Sequence, residues 1–296
     1  MTDGITMKLL VYGAGVLGSL FAVRMHEAGH EVALLARGER LAALHRHGGV
    51  LLAEGDSAEV RRVPVPVVEH PDGGYDLIAV MVRAHQVDAV LESLADVPGD
   101  VLFLLSWAGG TEPLGAALGP ERVLLGAPTA GGTMDGDVVR YREPSLLTRR
   151  FPMPVGEPGG RSTPRLDRIV QAFRAAGIYA KAEPRMEAWH RTHAAFAVPL
   201  EQAAQTAGGP LALAADPAAI RGMIRRVRQY LAAMPGPPVP RGFVVLQVLP
   251  EVVLAAVVRR FLRSSTAVHS GLSTASPAVT AELERLAEQL GAGANS

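Results

Sequence analysis

The sequence predicts an α/β protein, with a doubly wound sheet in its amino-terminal part and an all-helical carboxy-terminal domain. Two observations carry this. Up to about residue 183, apolar runs of strand length alternate with helical patterns, the signature of βαβ units. Beyond that point alanine-rich patterns of helical period replace the strands. The expected domains are residues 1–183 and 184–296. A chain of 296 residues, 48% of them hydrophobic, is long enough to give each its own core.

The first strand is expected over Lys8–Tyr12, followed by Gly13-Ala14-Gly15-Val16-Leu17-Gly18 and a helix up to Gly29. Gly13 permits a tight turn, Gly15 lets a pyrophosphate approach the backbone, and Gly18 lets the helix pack close on the strand. A second buried strand, Glu31–Ala36, sits at the right distance for a Rossmann-type dinucleotide fingerprint. An NAD site usually ends this strand with Asp or Glu, whereas here Arg37 ends it, which points to the 2′-phosphate of NADP(H). Arg40 follows as a second cation, and the bland alternative for both is a solvated surface charge.

Further along, Leu41 to His47 reads as helix, and Val50 to Leu52 with the alternating stretch Val60–Val68 as short strands beside the main sheet. The strand Asp76–Val82 ends in Arg83-Ala84-His85-Gln86. Ligands of open α/β sheets lie outside the carboxyl ends of strands, so Arg83 is a candidate cofactor contact, while His85 reads as a surface residue. Val101–Leu105 leads into Ser106-Trp107-Ala108-Gly109-Gly110, and Arg122–Gly126 into a second small-residue loop ending at Gly132. Trp107 is either a wall of a nicotinamide pocket or a core residue. Residues 144–160 read as short strands and turns. Leu166, Ile169, Val170 and Phe173 then mark an amphipathic helix before the strand-like Ile178–Ala182. The expected carboxy-terminal helices are Glu187–Ala207, Ala218–Met234, Glu251–Arg263 and Ala278–Leu290, three of them opening behind a proline.

Composition narrows the partners. Formal net charge is zero and the basic residues are scattered, so neither a nucleic-acid groove nor an anionic membrane surface is indicated. A small molecule is the expected partner. With no cysteine there is no disulfide, thiolate catalysis or cysteine-ligated zinc, and no metal site is expected. The amino terminus lacks the pattern of a signal peptide and no apolar run reaches the roughly 20 residues of a membrane span, so a cytoplasmic protein is expected.

These segments together resemble the ketopantoate reductase family over nearly the whole chain: the Gly13 to Gly18 fingerprint, Arg37, the Val82 to Gln86 turn, the Leu104 to Gly110 and Leu125 to Gly132 loops, and the helix opening at Trp189. The resemblance implies an NADPH-binding Rossmann domain, a helical domain for substrate and for dimerisation, and reduction of a 2-oxo acid. It also exposes departures. The family's lysine at the turn is Arg83 here, and its Asn-Gly pair is Trp107-Ala108. In the helix motif Arg191 falls on the catalytic lysine, and Ala195 and Pro199 on two asparagines. The family's substrate-binding glutamate near the carboxyl end has no counterpart; Ser264-Ser265 leads instead to His269, with no acidic residue before Glu282.

Arg191 can stabilise an alkoxide but is a poor acid. His193 and His269 are therefore the candidate proton donors, set against the ordinary reading of each as structural. The expected function is reduction by NADPH of a carbonyl or imine substrate less polar than ketopantoate. Ketopantoate reduction as the family default, non-redox isomerisation or cyclisation on the same fold, and a non-catalytic NADP-binding protein stay open.

Overall fold

The structure, a computed structural model, describes residues 6–129, 131–143, 152–264, 267 and 276–292. His269 and residues 144–151 lie outside the described residues. Two units emerge. The first comprises the chain up to Val82, Gln86–Leu105 and Thr111–Met186; the second comprises Arg83–His85, Ser106–Gly110 and the chain from Glu187 onward.

The first unit opens with β1 (Lys8–Tyr12), α1 (Val16–Glu27), β2 (Glu31–Leu35), α2 (Gly38–His47) and β3 (Val50–Glu54). It continues through β4 (Arg61–Val63), β5 (Val67–Val68), β6 (Leu77–Val80), α3 (Val87–Leu94), β7 (Asp100–Leu104), α4 (Glu112–Leu118) and β8 (Val123–Gly126). Then come β9 (Gly132–Asp135), β10 (Val138–Tyr141), β11 (Met153–Gly156), α5 (Pro164–Ala175) and β12 (Ala180–Ala182). The main sheet runs β12-β11-β8-β7-β6-β1-β2-β5. It is parallel except where β11 meets β8. Strand order reverses beside β1, whose neighbours are β2 and β6, and such a switch point is where open α/β sheets bind ligands.

Central strands are buried on both faces, as their unbroken apolar runs require. Leu9, Val11, Leu77, Ala79, Leu102 and Leu104 share a core with Phe21 of α1 and Phe173 of α5, whose rings meet edge to face at 5.1 Å. A buried ion pair anchors the start of α5. Arg165 Nε donates to Glu157 Oε1 at 2.7 Å and its Nη1 to Asp100 Oδ1 at 2.6 Å, while the Glu157 side chain has no exposure. Burial pushes the Glu157 carboxyl up, but hydrogen bonds from Arg165 and Thr163 outweigh it and hold the group below its ordinary range.

The stretch Val60–Val68 forms short strands, as expected. Pro64 and Pro66 remove backbone donors from it, so it divides: β4 pairs with β3 in a separate sheet, β4-β3-β10-β9, and β5 forms the edge of the main one.

The helices of the second unit are α6 (Met186–Ala207), α7 (Pro210–Ala215), α8 (Pro217–Ala232), α9 (Val245–Val248), α10 (Glu251–Leu262) and α11 (Pro277–Ala292). Asp216 caps α8 by accepting from the Ala218 and Ala219 N–H groups at 2.8 and 3.0 Å, and Ile220, Met223, Ile224, Val227 and Leu231 form its buried stripe. Among the described residues no helix is long and apolar enough to cross a membrane.

Candidate active site

In the first unit the glycine turn follows β1. Gly13 has φ +117°, and a Cβ on it would lie 2.6 Å from the Met81 carbonyl oxygen. A Cβ on Gly18 would lie 1.9 Å from the Gly13 carbonyl oxygen. Both positions exclude any larger residue. Gly15 is different: its φ is an ordinary −69°, it is the N-cap of α1 without a side-chain cap, and a Cβ there would meet nothing within 4 Å. Space is thus open over the first-turn N–H groups of α1, where Val16 and Leu17 begin the helix, and such groups attract anions. Ala14 is buried, and its carbonyl accepts from Ser19 Oγ at 3.1 Å and Arg40 Nε at 3.0 Å.

The two strand-end arginines have different tasks. Arg40 also donates to the Asp137 carbonyl at 3.0 Å, so it braces the glycine turn against the β9–β10 hairpin. Arg37 is exposed; its guanidinium lies 5.4 Å from the Tyr12 ring centroid and donates to Tyr12 Oη at 2.6 Å. Tyr12 Oη in turn shares a 2.9 Å hydrogen bond with Ser93 Oγ. Arg37 is therefore held at the carboxyl end of β2 while staying open to solvent.

In the second unit, α11 carries two groups that reach main chain. Glu282 Oε2 accepts from the Ala84 N–H at 2.7 Å and lies 3.8 Å from His85 Nδ1. Gln289 Oε1 accepts from the Ala108 N–H at 2.9 Å. Burial raises the Glu282 carboxyl to about 7, against the Ala84 N–H and the charge of Arg83, and Glu201 on α6 pushes it the same way as burial. Burial raises Glu201 too, with Arg83 opposing. His85 is part-buried rather than a surface residue, and burial, then Arg83, lower its pKa.

Trp107 is 3% exposed and its indole N–H donates to the Gly110 carbonyl at 2.6 Å, so it shapes its own loop. On α6, Thr192 Oγ1 accepts from the Val239 N–H at 3.0 Å and donates to the Ala188 carbonyl at 2.7 Å. Arg191 is half-buried, and its Nε is buried with no hydrogen-bond partner among the described residues.

His193 stacks its ring on Trp189 at 5.2 Å and 8°, and burial lowers its pKa, which favours the neutral imidazole over the imidazolium. His190 is more extreme: 2% exposed, both ring nitrogens unpartnered among the described residues, and lowered to about 3 by burial, with His193 adding to the effect. Ala195 is fully buried and Phe196 packs edge to face on Phe243 at 5.8 Å.

A cavity of about 240 Å³ lies elsewhere in the first unit, at the carboxyl end of α1. Its charges pair with one another, Arg24 with Glu143 at 2.7 Å and Arg61 with Glu27, and it is remote along α1 from the glycine turn.

Comparison with known proteins extends this picture. Residues 9–147 match the family model described as ketopantoate reductase PanE/ApbA. The 2-dehydropantoate 2-reductase of Archaeoglobus fulgidus is 30% identical over 177 residues, covering 59% of this chain and 55% of that protein. That of Pyrococcus horikoshii is 27% identical over 188 residues, covering 62% and 58%. The chain thus spans little more than half the length of these curated relatives. Solved structures match along nearly all of it: D-mandelate dehydrogenase with NADH at TM-score 0.71 and 15% identity, covering 98% of this chain and 99% of that one. The 2-dehydropantoate 2-reductase of Porphyromonas gingivalis matches at 0.67 and 18%, covering 97% and 99%. At these identities the structural likeness speaks for the fold alone. The expected fold class and the resemblance to ketopantoate reductases both hold.

Proposed function

Starting from the resemblance to the ketopantoate reductases, we propose that this chain is an oxidoreductase that uses NADPH to reduce the carbonyl of a 2-oxo acid, or a related imine, other than ketopantoate. The observation that carries the reading is the glycine turn: Gly13 and Gly18 are sterically closed, whereas Gly15 opens on free space at the start of α1. That is the shape a pyrophosphate needs, so the residues fit a dinucleotide. The backbone from Gly13 to Gly18 would hold the pyrophosphate. Arg37 would receive the 2′-phosphate; its exposure, with one bond to Tyr12 fixing its direction, supports this role. Arg83 follows β6 and is a second cation for the cofactor.

When bound, the nicotinamide supplies the hydride. Arg191 has the chemistry to stabilise the oxygen that becomes an alkoxide, and its buried, unpartnered Nε supports that task. His193, neutral and stacked, contributes apolar surface. Alanine at 195 and proline at 199, where the resemblance implies asparagines, favour a substrate with fewer hydroxyl groups, because an unmatched polar group is costly to bury.

Replacing Arg37 by Asp tests the cofactor assignment. Charge-assisted hydrogen bonds are worth about 1.5–3 kcal/mol, so NADPH affinity should fall roughly 10–150-fold while NADH affinity changes little. Equal affinities for both cofactors before and after the exchange would contradict the assignment.

A further inference from the structure

The resemblance assigns nothing to Glu282 or Gln289, yet both sit on one face of α11 seven residues apart, and each binds a backbone N–H far away in sequence. Ala84 and Ala108 belong to the short segments that follow β6 and β7. Glu282 is only 13% exposed in its side chain, its carboxyl lies 3.8 Å from His85 Nδ1, and it feels the charges of Arg83 and Glu201. We propose that Glu282 is a positioning residue: together with Gln289 it fixes the Ala84 and Ala108 segments, and its carboxyl sets the charge that Arg83 offers to an anionic ligand.

Two features make the arrangement more than packing. A glutamine would satisfy the Ala84 N–H as well as a glutamate does, so a carboxyl at this position has a consequence that hydrogen bonding alone does not require. Two carboxyls, Glu201 and Glu282, also share the field of one guanidinium, and the charge of Glu201 adds to the rise of Glu282. Burial brings Glu282 into the neutral range. Below about 7 the Glu282 carboxyl is largely protonated; above it, its carboxylate adds a negative charge to the field of Arg83 that opposes an anionic ligand. Burial and then Arg83 lower the pKa of His85 beside it, which favours its neutral form. The ligand class is an anion, a phosphate or a carboxylate, and naming it as cofactor or substrate rests on the function proposed above.

The test uses the full chain with Glu282→Gln, Glu282→Ala and Gln289→Ala. Amide hydrogen exchange in cofactor-free protein reads the positioning. Glu282→Ala should speed exchange at Ala84 by tenfold or more, Gln289→Ala should do the same at Ala108, and Glu282→Gln should keep Ala84 protected. NADPH titrations at pH 6 and pH 8 read the charge. The ratio of wild-type to Glu282→Gln affinity should fall severalfold from pH 6 to pH 8, a comparison in which the ligand's own titration cancels. Unchanged exchange in both alanine variants, or a ratio independent of pH, overturns the proposal. If Glu282→Ala unfolds, Glu282→Gln and Gln289→Ala still decide it. If wild type binds no NADPH, the proposed function fails while the exchange measurements still judge the positioning role, and the charge is then read with inorganic phosphate as the probe.

Discussion

Replacing Gly15 by Val separates the fold from the site at a single atom. Gly15 has φ −69°, and its Cβ position meets no atom within 4 Å, so the protein itself has room for the side chain. The exchange removes a good N-cap residue, which costs about 1 kcal/mol. For a domain of this size that lowers Tm by roughly 2–4 °C. A pyrophosphate, by contrast, would lose the space above the α1 amides. If two charge-assisted hydrogen bonds of about 1.5–3 kcal/mol each are lost, affinity falls roughly 10²–10⁴-fold. Gly18→Ala is the counterpart. Its Cβ would lie 1.9 Å from the Gly13 carbonyl oxygen, so the turn must distort at a cost of about 1–3 kcal/mol or more, and melting should drop further than in Gly15→Val. Calorimetric NADPH titration beside thermal melting reads both effects. A folded Gly15→Val protein that binds NADPH as wild type does would refute the assignment of the site to this turn.

Other expectations follow from buried groups. Arg165→Met leaves the Glu157 carboxylate buried without its main partner and should destabilise the protein by about 3–5 kcal/mol in urea unfolding, whereas Arg165→Met with Glu157→Leu should recover most of the loss. His190 is lowered from 6.5 to about 3, so between those values the unfolded chain binds more protons than the folded one and stability falls as pH drops. From pH 7.5 to pH 5 the loss is about 2 kcal/mol, from the 1.36 kcal/mol per pKa unit, and the same pH change in His190→Leu should cost less by that amount. Arg191→Lys returns a titratable cation to that position and should preserve or raise turnover. Arg191→Ala should lower turnover at least about 100-fold with NADPH affinity nearly unchanged, as steady-state kinetics can separate.

The glycine turn was legible because much of its signal is local. Gly18 answers to the Gly13 carbonyl five residues back, Gly13 needs its own positive φ, and Arg37 follows a strand whose apolar run marks its limits. The short helices α3 and α4 were not anticipated. At 8 and 7 residues they give only two turns of periodicity, too little to stand out between strands. Burial was the second blind spot. His193 lies in an alanine-rich helix where sequence shows a titratable ring, but burial lowers its pKa and its ring stacks on Trp189. Glu282 shows the third: 198 positions separate it from Ala84, and nothing in the helical pattern of α11 distinguishes it from the exposed Glu284 two residues on. A carboxylate at helical spacing from a glutamine was the one available hint.

The central claim is hydride transfer from NADPH to a 2-oxo acid or related imine. Its most direct measurement is loss of NADPH absorbance when the purified full chain is mixed with a panel of 2-oxo acids and imines of increasing side-chain size, ketopantoate included, with NADH run in parallel. The expected result is NADPH consumption faster than NADH consumption, strongest with an apolar substrate and weak with ketopantoate. Tight NADPH binding with no consumption on any member of the panel would contradict it.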